Sequence, residues 1–287
     1  MRISVIGCGY LGAVHAAAMA SIGHDVVGID VDERKIASLS VGDAPFFEPG
    51  LPEILKQGVA SGNLRFTTDM SQARGAKVHF VGVGTPQQKN GSAADLSYVN
   101  GAFADLAPYL SPGDVVAGKS TVPVGTAAGL TPLVESTGAT LVWNPEFLRE
   151  GFAVKDTIDP DRLVVGVPEG DAGAAAADVL RAVYHPAVAK GTPFLVTDLA
   201  TSELVKVAAN AFLATKISFI NAMAEIAEAT GADVTQLADA IGHDVRIGRR
   251  FLGAGIGFGG GCLPKDIRAF AARAEELGRG DAVGFLR

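Results

Sequence analysis

Near its end the chain runs Gly255-Ile256-Gly257-Phe258-Gly259-Gly260-Gly261-Cys262-Leu263-Pro264-Lys265-Asp266, a cysteine within a glycine-rich stretch. At its start it runs Gly7-Cys8-Gly9-Tyr10-Leu11-Gly12. The second pattern suggests a dinucleotide that accepts hydride. The first suggests a thiolate nucleophile. A dinucleotide alone can oxidise an alcohol to an aldehyde. The aldehyde can lose a second hydride only after something adds to it. A thiolate that adds gives a thiohemiacetal, which can be oxidised to a thioester and then hydrolysed. The pairing therefore points to a two-step oxidation of an alcohol to a carboxylate.

Context makes the glycine fingerprint specific. It follows a short apolar segment at 2–6, opens a helical pattern, and is followed by Asp30 at the end of the next apolar segment. Gly7 permits the tight turn, Gly9 lets a pyrophosphate approach the backbone, and Gly12 lets the helix pack on the sheet. The helix N-terminus offers N–H groups and a positive partial charge. Asp30 is placed to hold the ribose hydroxyls, and its charge opposes a 2′-phosphate, so NAD is expected over NADP. Arg34 and Lys35 are nearby cations that work against this discrimination. An FAD site would show the same fingerprint. Cys8, inside the turn, reads as a small space-filling residue. Pro264 suits the first turn of a helix. That would put Cys262 just before a helix N-terminus, with Lys265 close in sequence, and both influences favour the thiolate.

The elements that must carry these groups follow from the apolar pattern. Segments 2–6, 25–30, 78–83, 115–119, 140–143 and 163–167 read as buried parallel strands, with helical patterns between most of them. That alternation is the mark of a doubly wound α/β sheet. Residues 42–52, rich in Pro and Gly, read as a loop. Residues 199–229 contain neither Gly nor Pro and are mostly apolar. They read as one helix of about 45 Å, long enough to suggest a connecting or dimer-forming role. Helices are also expected at 233–241 and from Pro264 to about Leu277. The resulting division is a Rossmann-like NAD-binding domain at 1–198 and a helical domain at 199–287.

Composition narrows the partners. The 287 residues are 48% hydrophobic and 19% charged, with a net charge of -7. An acidic chain is a poor nucleic-acid binder. Two cysteines make no disulfide framework, which suits a reducing cytoplasm. No signal peptide is visible and no run of 18 apolar residues suggests a membrane span. His15, His24, His79, His185 and His243 show no metal-ligand spacing, so no metal is expected.

The motifs together resemble one family, the nucleotide-sugar 6-dehydrogenases of UDP-glucose and GDP-mannose type. The resemblance covers the whole chain. Beyond the fingerprint it is carried by Gly84-Thr85-Pro86, Lys119-Ser120-Thr121-Val122-Pro123-Val124-Gly125-Thr126, Asn144-Pro145-Glu146-Phe147-Leu148-Arg149-Glu150-Gly151, Glu203-Leu204-Val205-Lys206-Val207-Ala208-Ala209-Asn210-Ala211-Phe212, Arg246-Ile247-Gly248 and the cysteine loop. It implies that Cys262 is the nucleophile and that Lys206 polarises the oxygen that gains charge at C6. Lys206 and Asn210 are four apart and share a helix face. By the same resemblance Asp266 works with Lys206 and a water, and Glu146 is a base for thioester hydrolysis. Thr121 holds the active water and touches the cofactor. Glu150 lies by the nicotinamide and sugar, and Tyr10, Leu11, Thr85, Lys35 and Lys265 are cofactor contacts. Phe147, Leu148 and Arg149, with Phe251, Leu252, Gly253, Ala254, Gly255 and Gly257, follow the sugar. Arg246 crosses into a dimer partner's site.

Two departures accompany the resemblance. The family usually has Ser where this chain has Gly261. It also carries a third, C-terminal domain that grips the nucleotide, whereas this sequence stops at Arg287, where a linker helix is expected to begin. UDP-glucose is the expected substrate, with GDP-mannose open because base selection lies mostly in that domain. A β-hydroxyacid dehydrogenase would also join a Rossmann domain to a long helix but needs no cysteine. An NAD-binding dimeric fragment without turnover is a third reading.

Overall fold

The computed structural model describes residues 1–261 and 263–286. The chain divides into two compact units. The first comprises Met1–Thr85 with Asp95–Leu204, and the second comprises Pro86–Ala94 with Val205–Arg287. The first unit begins with strand β1 (Arg2–Ile6), helix α1 (Tyr10–Ser21), β2 (Asp25–Ile29), α2 (Glu33–Ser40), α3 (Leu51–Ser61), β3 (Leu64–Thr67) and β4 (Val78–Val81). It continues with α4 (Ser97–Leu106), β5 (Val115–Gly118), α5 (Thr126–Glu135), β6 (Thr140–Trp143), α6 (Ala153–Ile158), β7 (Leu163–Val167), α7 (Asp171–Val183), α8 (His185–Ala189) and β8 (Phe194–Asp198). Helix α9 (Leu199–Thr230) carries the chain into the second unit, which adds α10 (Val234–Gly242) and α11 (Leu263–Glu276).

The eight strands form one sheet in the order β3-β2-β1-β4-β5-β6-β7-β8. The direction of winding reverses between β1 and β4, so the turns after these two strands flank the crevice where such sheets take ligands. Apolar clusters cover both faces. Ile3, Val5, Phe80, Ala117 and the alanines of α1 lie on one. Ile6, Val81, Val116, Phe103 and Trp143 lie on the other. Both faces of the central strands are therefore buried, which explains their largely apolar runs, broken in β1 and β4 by Ser4 and His79, which share a buried hydrogen bond at 2.8 Å.

Two strands lie outside the expected set, and one expectation of direction fails. Strands β3 and β8 form the sheet's two edges. They are only part-buried, so neither needs a continuous apolar run. β6 and β7 were expected to be parallel, yet they pair antiparallel through Trp143 and Gly166. The reason is the connection. Residues 144–162 include only the short helix α6 and no element that crosses back along the sheet, so the chain enters β7 at the same end of the strands where it left β6. β8 then pairs parallel to β7.

Smaller corrections concern element ends. The loop expected at 42–52 stops at Gly50, because Leu51-Pro52 starts α3 with proline in its first turn. The tail expected as a linker helix instead makes 3₁₀ turns over Gly280–Leu286, kinked at Val283. Helix α9 bears on the membrane expectation, since it is long and apolar enough, by length and composition alone, to cross a bilayer.

Within the second unit the polar side chains of α9 serve the loops. Lys216 Nζ donates to the carbonyls of Ile247 (3.0 Å) and Gly248 (3.2 Å). Asn221 Oδ1 accepts from Gly255 N–H at 2.9 Å. Ile220, Ala238 and Leu252 form a small apolar core around them.

Candidate active site

The cofactor turn is built by what its glycines lack. Gly7 has φ +88°, and a Cβ there would lie 2.7 Å from Val83 Cγ1. A Cβ on Gly12 would lie 1.8 Å from the Gly7 carbonyl oxygen. A Cβ on Gly9 would meet nothing within 4 Å, so the backbone of the turn is open there to a ligand. Gly9 is also the N-cap of α1 and supplies no side-chain hydrogen bond, leaving first-turn N–H groups for an anion. The chain's own residues thus fit a pyrophosphate.

Asp30 is placed from the end of β2. Its Oδ2 accepts the Cys8 N–H at 2.7 Å and Lys35 Nζ at 2.8 Å, and its Oδ1 accepts the Asp32 N–H at 3.0 Å. Lys35, offered above as a counterweight to Asp30, is therefore its ion-pair partner. Burial, then the charge of Asp30, pushes the Cys8 thiol far above its ordinary range. Cys8 stays protonated at neutral pH and fills space, as its position in the turn suggests.

The ends of β4 and β5 are laced together. Ser120 Oγ donates to the Val83 carbonyl at 2.7 Å, and Thr85 Oγ1 donates to the Thr121 carbonyl at 2.8 Å. Thr85 is buried and Thr121 half-buried. Lys119, also buried, donates to Asn144 Oδ1 at 3.0 Å, and Asn144 Nδ2 donates to the Val164 carbonyl at 2.8 Å. These bonds fix the start of the 144–150 loop. Beyond it, Glu146 Oε2 accepts the Leu148 N–H at 2.6 Å. Arg149 is held by Asp156 (2.9 and 2.6 Å), Phe147 lies under the Arg162 guanidinium at 4.0 Å, and Glu150 is exposed.

In the second unit, Lys206 and Asp266 are charged residues buried to 6% and 4% exposure. Asn210 Nδ2 donates to Asp266 Oδ2 at 2.8 Å, and Lys265 Nζ pairs with Asp266 Oδ1 at 2.9 Å. Lys206 lies one turn before Asn210 on the same helix face. Two charges at this depth cost several kcal/mol each by order of magnitude unless paired or used. Phe251 has φ 65°, the positive value rare outside glycine, and such strain clusters at ligand sites. Leu252 is buried, while Gly253, Ala254, Gly255 and Gly257 are exposed. Arg246 is exposed and forks onto Asp244 of its own chain at 2.6 and 3.0 Å. Cys262 lies outside the described residues. Among the described residues no group of three His, Cys, Asp or Glu could hold a metal.

Residues 1–188 match the NAD binding domain of the UDP-glucose/GDP-mannose dehydrogenase family, and residues 200–283 match that family's central domain. The chain belongs to this family. It is 46% identical over 281 residues to a UDP-glucose 6-dehydrogenase of Rhizobium meliloti, a match covering 96% of this chain and 64% of that protein. A UDP-glucose dehydrogenase structure from Pyrobaculum islandicum superposes with TM-score 0.90 at 39% identity, over 99% of this chain and 66% of the other. A GDP-mannose dehydrogenase from Pseudomonas aeruginosa gives 0.79 at 34%, over 100% and 67%. The chain thus spans under two thirds of the curated relative's length.

Membership in this family makes NAD the cofactor of the first domain. Several residues that organise its turns escaped the sequence reading. Glu203 caps α5 by accepting the N–H groups of Gly125 and Ala127, each at 2.7 Å. Glu48 accepts from Tyr10 and from backbone 103 and 105 positions away. Lys119, Glu203 and Glu48 stand within stretches quoted above, but their partners are distant in sequence, and no local spacing reveals them.

Proposed function

We propose that the chain oxidises the C6 alcohol of a nucleotide sugar to the carboxylate with NAD, and that UDP-glucose is the sugar nucleotide. The observation that carries this is the buried pair Lys206 and Asp266, with Asn210 donating to Asp266, in a sequence where Asp266 stands four residues after Cys262 and in a family whose first domain binds NAD. UDP-glucose is favoured over GDP-mannose by the closer likeness in sequence and structure to the UDP-glucose enzymes. NAD, when bound, accepts a hydride at each of the two oxidations. After the first, the Cys262 thiolate adds to the aldehyde carbon. A C–S bond forms and the carbonyl pair becomes an alkoxide, which the Lys206 ammonium stabilises. Hydride loss from that carbon restores the C=O as a thioester. A water then adds and gives up its proton, the step to which the resemblance assigns Thr121, Asp266 and Glu146. The C–S bond breaks, the thiolate returns and the acid leaves. The resemblance assigns Phe147, Leu148, Arg149, Phe251, Leu252, Gly253, Ala254, Gly255 and Gly257 to the sugar, and Glu150 to the nicotinamide and sugar. The chemistry suits the cytoplasm, where a free thiol persists.

Absorbance at 340 nm tests the reading. UDP-glucose should yield NADH in twice the molar amount of acid formed, with GDP-mannose slower. An absence of NADH in the presence of bound cofactor would instead support an NAD-binding fragment without turnover.

NAD should bind at least about tenfold more tightly than NADP, a difference of 1.4 kcal/mol. A 2′-phosphate beside Asp30 meets like charge, and Lys35 is already committed to that carboxylate. Titration calorimetry with the two cofactors checks this, and equal constants would mean that Lys35 or Arg34 turns to the phosphate.

We also read α9 as the dimer helix. Phe212, Phe219 and Ile226 are 66%, 47% and 55% exposed and recur every seventh residue, which aligns them in one stripe. A stripe of large apolar side chains favours a second copy over water. The polar residues Lys216 and Asn221 on the same helix bind loop backbone of their own unit, a use that suits water better than a bilayer. Light scattering at micromolar concentration should report twice the mass of one chain, and Phe212→Asp with Phe219→Asp should return it to one. A wild-type mass of one chain would end this reading.

A further inference from the structure

Glu48 lies in the proline-rich segment before α3, and its side chain is 1% exposed. Its described hydrogen-bond partners include no cation. Oε2 accepts the phenol of Tyr10 and, at 2.9 Å, the N–H of Gly151. Oε1 accepts the N–H of Ala153 at 2.8 Å. A carboxylate this deep forfeits its hydration, and charge-assisted bonds from three donors are what offset the loss. An amide or an aliphatic side chain could fill the same space but could not accept from all three.

The three donors come from segments that matter for different parts of the site. Tyr10 directly follows Gly9 in the cofactor turn, and its ring rests against Phe46 with centroids 5.0 Å apart. Burial and the bond to Glu48 push its phenol well above the ordinary range, so it stays a donor at every working pH. Gly151 directly follows Glu150. It has φ +84°, a conformation that favours glycine and turns its N–H toward Glu48. One carboxylate therefore ties the turn at Gly9-Tyr10 to the backbone that bears Glu150.

We propose that Glu48 is a positioning residue that couples the cofactor turn to the 149–153 segment, so that a bound cofactor steadies the backbone carrying Glu150. This rests on the reading that the turn holds the pyrophosphate and that Glu150 faces the sugar. The coupling needs no movement of atoms. A ligand that restricts Gly9 and Tyr10 keeps the phenol on Oε2, and the carboxylate then holds its two N–H partners more of the time.

Hydrogen exchange on the whole chain tests it, read at the amides of 149–153 with and without saturating NAD. In the wild type, NAD should slow exchange there at least about fivefold, as expected when local opening is suppressed. Glu48→Gln should reduce that protection to less than about twofold, because the amide cannot accept from every donor. Tyr10→Phe keeps the ring on Phe46 and removes only the phenolic bond, so it should show the same loss even if the glutamine variant folds poorly. Saturation of each variant is established by titrating NAD separately. Variants that bind NAD and keep the full protection overturn the coupling. A wild type that binds NAD without protecting 149–153 overturns it equally. A wild type that does not bind NAD removes the cofactor reading and the coupling with it.

Discussion

Replacing Cys262 by serine is expected to lower acid formation on the order of 10³-fold or more while leaving NAD affinity unchanged. The second oxidation needs a nucleophile that adds to an aldehyde and later leaves from an acyl carbon. A thiolate does both near neutral pH. A serine hydroxyl is un-ionised there and is a poorer leaving group. The other cysteine offers no rescue, because burial and Asp30 keep the Cys8 thiol protonated beneath the cofactor turn. NAD binding should survive, since Gly7, Gly9 and Gly12 lie in the first unit and are untouched. The first oxidation does not need the thiol, so a single NADH per sugar and a trapped aldehyde would be the signature of the variant. The measurement is NADH released per mole of acid, with acid quantified by chromatography. Acid made by the serine variant at the parental rate would rule out covalent catalysis at this position.

Much of this site was legible in the sequence because its chemistry is local. The glycine turn and Asp30 follow from a strand–turn–helix order, and a helical repeat puts Lys206 and Asn210 on one face, although their part in a site is what the resemblance implies. The long helix was legible from the absence of Gly and Pro in 199–229, and α9 fills Leu199–Thr230. What spacing could not show is pairing across long separations. Even at a separation of five residues, spacing does not show that Lys35, a cation set against the NAD preference, has its ammonium held by the Asp30 carboxylate. Nothing in the local sequence around Glu48 and Glu203 marks either carboxylate as buried. They prove buried because backbone N–H groups from remote loops turn toward them. The antiparallel entry of β7 is of the same kind, since it depends on where the 144–162 connection lies and not on any residue of β7 itself. Edge strands β3 and β8 were missed because half-exposed strands lose the apolar run that marks central ones.

A pair of alanine substitutions in the cofactor turn should separate folding from binding. Gly12→Ala should destabilise the first unit by about 3 kcal/mol or more. The new Cβ would stand 1.8 Å from the Gly7 carbonyl oxygen and 2.9 Å from its carbon, well inside van der Waals contact. Relief requires either the turn or α1 to move by more than an ångström. Neither can do so freely. Gly7 is held by the bond from its N–H to the Ile29 carbonyl at 2.8 Å. Residues 12–20 of α1 are all buried, so a shift of the helix disturbs close packing along its length. Gly9→Ala is the opposite case. Gly9 has φ -68°, which alanine adopts without strain, and its Cβ would enter open space. Stability should change by less than about 1 kcal/mol, with a slight gain allowed by the stiffer unfolded chain. NAD affinity should nevertheless fall at least about tenfold, because that open space is where the pyrophosphate must approach the backbone. Thermal unfolding and NAD titration on both variants check the two halves. A Gly9→Ala protein that binds NAD as tightly as the parent would place the pyrophosphate elsewhere. A Gly12→Ala protein that melts with the parent would mean that the turn yields where its hydrogen bonds hold it.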